Sequence, residues 1–297
     1  ANIHSFPTRR SSDLPVWGAT GNPFNPALNA GGSSGGSAAA LATDMLPLCT
    51  GSDTGGSLRQ PAALCGVVGL RTTVGRVPSY KASAPNRIIS NQQMSVQGPL
   101  TRTVADAALM MQVLSQPDAR DSMSLPYQDI AWSQFNKGAE RLRGLRIGLL
   151  LDAGCGLPVE PEVKAAVERA AKLMEAAGAT IVPMAPFMTQ AMLDGMDHFW
   201  RMRSHIDLQA LPAARRDKVL PYIRTWADSA AGMSGTEVFN ASHQFHLTRV
   251  NTVKACSAFD YVISPVAPMP AFQAELPSPT NDPLRPLEHI GFTVPFN

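Results

Sequence analysis

Residues 30–40 read AGGSSGGSAAA and residues 51–59 read GSDTGGSLR. By itself, Gly31-Gly32-Ser33-Ser34-Gly35-Gly36-Ser37 has the composition of a flexible tether, and Gly/Ser tracts of that kind behave as random coil. The tract runs, however, straight into Ala38-Ala39-Ala40-Leu41-Ala42, a run of strong helix formers. A second Gly-Gly-Ser then follows, with Ser33 and Ser57 only 24 residues apart. The pattern predicts a short helix over residues 36–44 and a short buried strand within MLPLCTGSD (45–53) that enters the second turn. Such a hairpin-like return brings both glycine-serine turns to one edge of a sheet.

Working outward, PAALCGVVGL (61–70) is a small, apolar, tightly packed segment. RTVADAALMMQVLSQ (102–116) predicts a helix with Val104, Ala108, Met111 and Leu114 on one face. LRGLRIGLLLD (142–152) is a continuous apolar run of the kind buried on both faces of a sheet. After it, Val163, Ala166, Val167, Ala170, Leu173 and Met174 recur at helical spacing, Gly178 stands where a C-cap belongs, and ATIVPM (179–184) resumes as a strand. A strand–helix–strand unit implies parallel pairing and an α/β fold. Residues 188–259 read as mostly helical, and FDYVISPVAP (259–268) as a last strand. Residues 15–30 read as a loop. The expected fold is α/β, a mixed central β-sheet flanked by helices.

With 44% hydrophobic and 16% charged residues in 297, the chain can bury a sizeable core. A net charge of +2 with scattered basic residues lacks the basic stripe of a nucleic-acid binder. No apolar run approaches the length of a membrane helix. Cys49, Cys65, Cys155 and Cys256 show no paired spacing, so they read as free thiols, and the expected location is cytoplasmic. The opening ANIHSFPTRRSSDL fits nothing after it; SFPTRRSSDL resembles translated sequencing-adapter DNA, and residues 1–14 are expected to be a non-native leader.

The chemistry of the turns comes next. A serine hydroxyl needs a neighbouring base to become a nucleophile, and the oxyanion it generates must meet N–H donors already in place. In Thr54-Gly55-Gly56-Ser57 two glycines let successive N–H groups converge without a Cβ in the way. An isolated TGGS is more often a plain tight turn. A second serine turn nearby, with no histidine, points instead to a hydroxyl relay passing a proton to a remote amine.

GGSSGGSAAALA, GSDTGGSLRQPAALCGVVGL and SVQGPLTRTVADAALMM together resemble the amidase signature family over about residues 16–297, with FDYVISPVAPMPAF and FTVPFN similar to its later landmarks. The resemblance implies amide cleavage by a Ser–cis-Ser–Lys arrangement without a cofactor. Ser57 matches the acylated nucleophile and Ser33 the bridging serine that follows a cis bond. Thr54, Gly55 and Gly56 match the oxyanion-hole backbone, and Ser34, Asp53 and Arg59 match positions that hold the two turns together. The implied partner is a small-molecule amide, with no nucleic acid and no membrane, and a homodimer is open to it.

The resemblance also implies a lysine base well upstream of Ser33, and the sequence has no lysine before Lys81, which matches no catalytic position. Residues 15–297 therefore read as a partial amidase domain, cut at both ends, that hydrolyses amides feebly or not at all. The alternatives are a non-catalytic amidase-like binding scaffold and the A subunit of a tRNA-dependent amidotransferase. The latter ranks below a free-standing amidase because RTTVGRVPSYKASAPNRI (71–88) departs from its usual sequence. An α/β-hydrolase reading of GSSGG (32–36), with Ser34 central, is set aside because NPFNPALNA (22–30) does not read as the strand an elbow needs. His243 and His246 share a helical face without further ligands at metal spacing, and no metal is expected.

Overall fold

The computed structural model describes residues 18–79, 94–136 and 139–297. The leader expected over residues 1–14 and Lys81 lie outside the described residues. The chain divides into two compact units: one holds the residues up to Arg141 with Pro270–Leu276 and Asn297, the other Leu142–Met269 with Pro277–Phe296.

In the first unit, β1 (Gly21–Asn22) and β2 (Asn25–Asn29) pair antiparallel where a loop was expected. An isolated bridge from Leu28 to Gln273 extends β2 on its other edge. Helix α1 spans Gly35–Ala42, β3 Leu48–Asp53, α2 Arg59–Cys65, β4 Val68–Gly69 and β5 Val96–Thr101. The strands form an antiparallel sheet in the order β3-β5-β4. Only the second half of β3 is buried; Leu48 is 38% exposed. Leu41, Leu58, Ala62 and Leu100 close the core between α1, α2 and the sheet. Helix α2 stops at Gly66, whose φ of 66° is the left-handed cap that releases the chain into β4.

Helix α3 (Val104–Leu114) is capped by Thr103, whose hydroxyl accepts from the Asp106 N–H. Its buried residues are Ala107, Ala108 and Met111, while Val104 is 49% exposed. A helical side chain leans back over the preceding turn, and Val104, at the first helical position, has no preceding turn to cover.

The second unit carries the parallel sheet predicted from the strand–helix–strand pattern. Strands β6 (Arg146–Leu149), β7 (Thr180–Pro183) and β8 (Tyr261–Ile263) lie in the order β7-β6-β8, all parallel. β6 begins later than the apolar run because Gly144, at φ 80°, turns the chain just before it, and it ends at Leu149. Helix α4 (Pro161–Ala176) connects β6 to β7 and ends before Gly178 at φ 99°. Of its expected apolar face, Val163, Val167, Ala170 and Met174 are half-buried while Ala166 and Leu173 are exposed, and the buried residue of the helix, Ala171, lies outside that set. Helices α5 (Gln190–Gln209), α6 (Ala213–Arg216), α7 (Pro221–Asp228) and α8 (Gly235–Cys256) fill most of the helical region. The fold is thus mixed α/β, with its parallel and antiparallel strands in separate sheets among the described residues.

Candidate active site

The first turn is held from both sides. Asn29, buried at the end of β2, accepts the Gly31 N–H through its side chain at 2.9 Å. Gly31, at φ 76°, packs so closely on α2 that a Cβ would lie 2.8 Å from Pro61 Cα. The next peptide, Gly32–Ser33, is cis. Ser34 then ties this turn to the second: its N–H donates to the Ser57 carbonyl at 3.1 Å. Its hydroxyl accepts from the Ser52 N–H at 3.3 Å and reaches the Ser52 carbonyl at 3.5 Å. α1 consequently starts without a side-chain cap from Ser34. Gly51 lets β3 approach, since a Cβ there would lie 2.6 Å from Ser34 Oγ.

The second turn is shaped by Asp53, which is fully buried. Its Oδ1 accepts the Gly56 N–H at 2.8 Å, and its Oδ2 accepts the Leu58 N–H at 3.2 Å. Arg59 pairs with it in a fork, Nε to Oδ2 at 3.0 Å and a terminal nitrogen to Oδ1 at 2.8 Å. Burial alone pushes this carboxyl up, but the hydrogen bonds and charge of Arg59, the Asn297 amide and the Gly56 N–H outweigh it and hold it at about 2. These bonds lie within residues 53–59 or reach Asn297 and brace the second turn, while Ser34 joins it to the first.

Ser33 and Ser57 stand half-buried in the two joined turns. Gly56 has φ 126°, a conformation L side chains rarely adopt. Its N–H is directed at Asp53. Among the described residues of this unit there is no lysine.

Two residues were not singled out from the sequence. Asn297 donates to Asp53 Oδ1 at 2.9 Å and accepts from Arg59 at 2.6 Å. Arg71 is half-buried; burial, then the like charge of Arg59, pull it down to about 10 against the opposing pull of Asp53. The only sequence signal for Asn297 was its place at the end of FTVPFN, and pattern cannot announce a contact with Asp53 across that separation.

The stretch before GSSGG differs from its sequence reading. Asn25–Asn29 is a strand after all, because its free edge is completed by residues far along the chain. Ser34 still does not stand as an elbow serine: its hydroxyl is turned onto the Ser52 backbone. His243 and His246 stack on one another, ring centroids 5.6 Å apart. Among the described residues no three His, Cys, Asp or Glu side chains gather into a metal-binding group. The four cysteines are free thiols.

Two serine turns joined at the edge of an antiparallel sheet, in a chain with a separate parallel α/β unit, define the class: the fold is that of the amidase signature enzymes. The chain belongs to the Amidase family, whose sequence profile matches residues 1–297. It is 35% identical over 323 residues to the A subunit of a Glutamyl-tRNA(Gln) amidotransferase from Thermosynechococcus vestitus, covering 100% of this chain and 64% of that protein. A bacterial aryl acylamidase of the amidase signature family superposes with TM-score 0.77 at 29% identity, covering 90% of this chain and 55% of that one. The A subunit of the Glutamyl-tRNA(Gln) amidotransferase from Thermotoga maritima does so with TM-score 0.67 at 26% identity, covering 94% and 59%. The chain thus spans under two thirds of the length of these relatives. No described helix is long and apolar enough to cross a membrane.

Proposed function

We propose that this chain carries the acyl-accepting part of an amidase site acting on a carboxylic amide. Ser57 Oγ attacks the carbonyl carbon and gives its proton to the Ser33 hydroxyl, which passes its own to a base. The C–N bond then breaks, the leaving amine takes a proton, and water hydrolyses the Ser57 ester to the free acid. The oxyanion donors are assigned to the backbone of the Thr54–Ser57 turn, whose Gly56 N–H is itself directed at Asp53. The observation that carries the reading is the Ser34 N–H donated to the Ser57 carbonyl, which puts the two serine turns side by side.

The base is the open part. The resemblance implies a lysine, and the sequence contains none before Lys81. General-base assistance is worth about 10²–10⁴-fold, so the 297-residue polypeptide assayed alone is expected to be a slow amidase that still acylates from an activated ester. Incubation with a nitrophenyl ester followed by peptide mass mapping tests this. An acyl group on the Ser57 peptide, absent in Ser57→Ala, is the expected result, and acylation elsewhere would overturn the assignment. Turnover of simple aryl amides at an ordinary rate would sink the claim of slowness.

A second reading, an amidotransferase A subunit, is favoured by the 35% identity to a protein of that name. On that reading the chain works with other subunits, and co-purification from its source detects them. The free-standing reading instead expects a homodimer or monomer, located in the cytoplasm and using no cofactor.

A further inference from the structure

The Ser57 turn is braced by Asn297, a residue far along the chain. The Asn297 carboxamide does two things at once: Nδ2 donates to Asp53 Oδ1 at 2.9 Å, and Oδ1 accepts from an Arg59 terminal nitrogen at 2.6 Å. A primary amide suits that place because it is neutral yet offers both a donor for the carboxylate and an acceptor for the guanidinium. Nδ2 also lies 3.4 Å from the Met94 carbonyl, the oxygen to which Arg71 donates at 3.4 Å.

Asp53 Oδ1 is the atom on which this converges. It takes the Asn297 amide, one arm of Arg59 and the Gly56 N–H, the last at 2.8 Å. Its position therefore sets the plane of the Gly55–Gly56 peptide, and with it the aim of the neighbouring N–H groups in the turn. Without Asn297, Asp53 keeps both Arg59 bonds and the Leu58 N–H. The turn would survive, with Oδ1 free to shift.

We infer that Asn297 is a positioning residue for the Ser57 turn, acting through Asp53 and touching neither substrate nor reacting atoms. The inference rests on the assignment of Ser57 as nucleophile. An arylboronic acid tests it, because boron forms a tetrahedral adduct with an active serine and so reads the geometry of the turn without requiring turnover. Affinity is measured across pH for the whole chain, for Ser57→Ala, for Asn297→Ala, and for Asn297→Asp, which keeps the acceptor for Arg59 but withdraws the donor from Asp53. Each variant's unfolding midpoint is measured alongside.

The expected result is an adduct that Ser57→Ala abolishes and both Asn297 variants weaken on the order of tenfold, the scale of one hydrogen bond to a charged group. The acid limb of the Asn297→Ala profile should also move to higher pH as Asp53 loses a donor, and the weakening should appear even where the unfolding midpoint is unchanged, which a purely structural role would not produce. Wild-type affinity and an unshifted profile in a folded Asn297→Ala would overturn the inference alone. No adduct with the unaltered chain would overturn the Ser57 assignment and this inference with it. If Asn297→Ala does not fold, Asn297→Asp decides by the same criteria. If neither folds, Asn297 is a structural clamp and the inference fails.

Discussion

Ser34 donates its backbone N–H to the carbonyl of Ser57 at 3.1 Å, while its hydroxyl accepts the N–H of Ser52 at 3.3 Å. One residue thus fastens the first glycine-serine turn to both the end of β3 and the turn that follows. Ser34→Ala keeps the backbone bond and loses the hydroxyl, so it should lower stability by about 1 kcal/mol. Gly51→Ala drives a methyl to within 2.6 Å of Ser34 Oγ and 2.8 Å of Leu58 Cδ2, and should cost more, about 2 kcal/mol. Urea unfolding of the two variants checks the order.

Asp53 makes stability depend on acid. Its folded value of about 2 lies below the ordinary 3.8, so the folded state holds the charged form more tightly than the unfolded chain does. The contribution, about 2 kcal/mol, is complete above the unfolded value and is lost as pH falls from about 4 to about 2. Asp53→Asn should flatten that part of the stability–pH curve. It should also destabilise by about 3–5 kcal/mol at neutral pH, because Arg59 is left without its counter-charge. Thermal unfolding across acid pH measures both effects.

Leu58 follows the nucleophile candidate directly and is fully buried with Leu41, Ala62 and Leu100. Leu58→Ala should cost about 3 kcal/mol through lost burial and the cavity left behind. It should also reduce ester acylation of Ser57, since the hole lies under the turn. Normal acylation in a folded but destabilised variant would separate core packing from turn geometry.

The thiols should be sluggish. Burial pushes Cys65 up to about 11; burial, and behind it the carboxylates of Glu288, Asp152 and Asp194, push Cys155 up to about 12. Thiolate is the reactive form, so both should react with a disulfide reagent at neutral pH far more slowly in the native protein than in urea. Rapid native labelling of either residue, located by peptide mapping, would contradict this.

Much of the fold was legible because its signals are local. Gly36 to Asp44 read as a helix from its alanines, and α1 lies there. The β6–α4–β7 unit read from a strand run, a helical repeat and Gly178, and its parallel pairing follows. Leu173 and Val104 keep the right spacing yet face out, because periodicity identifies a face without saying how far a neighbour covers it. Residues 25–29 looked like a loop because Asn and Pro disfavour strands, and the segment gains its second edge only from residues 272–274. At the site, the serines and glycines were visible as a motif. Asn297 was not, because a side-chain contact between residues so far apart leaves no trace in spacing.

That second edge also bears on the order in which the molecule can be completed. The Asn29 N–H and its side-chain amide both donate to the Phe272 carbonyl at 2.8 Å, and the Ala274 N–H donates to Ala27 at 2.9 Å. A ribosome extends the chain from its N-terminus, so β2 emerges long before the residues that finish it. The second unit draws mainly on one continuous stretch, Leu142–Met269, and can assemble meanwhile. The serine turns, made early in translation, must wait for residues synthesised much later before the strand that leads into them is closed.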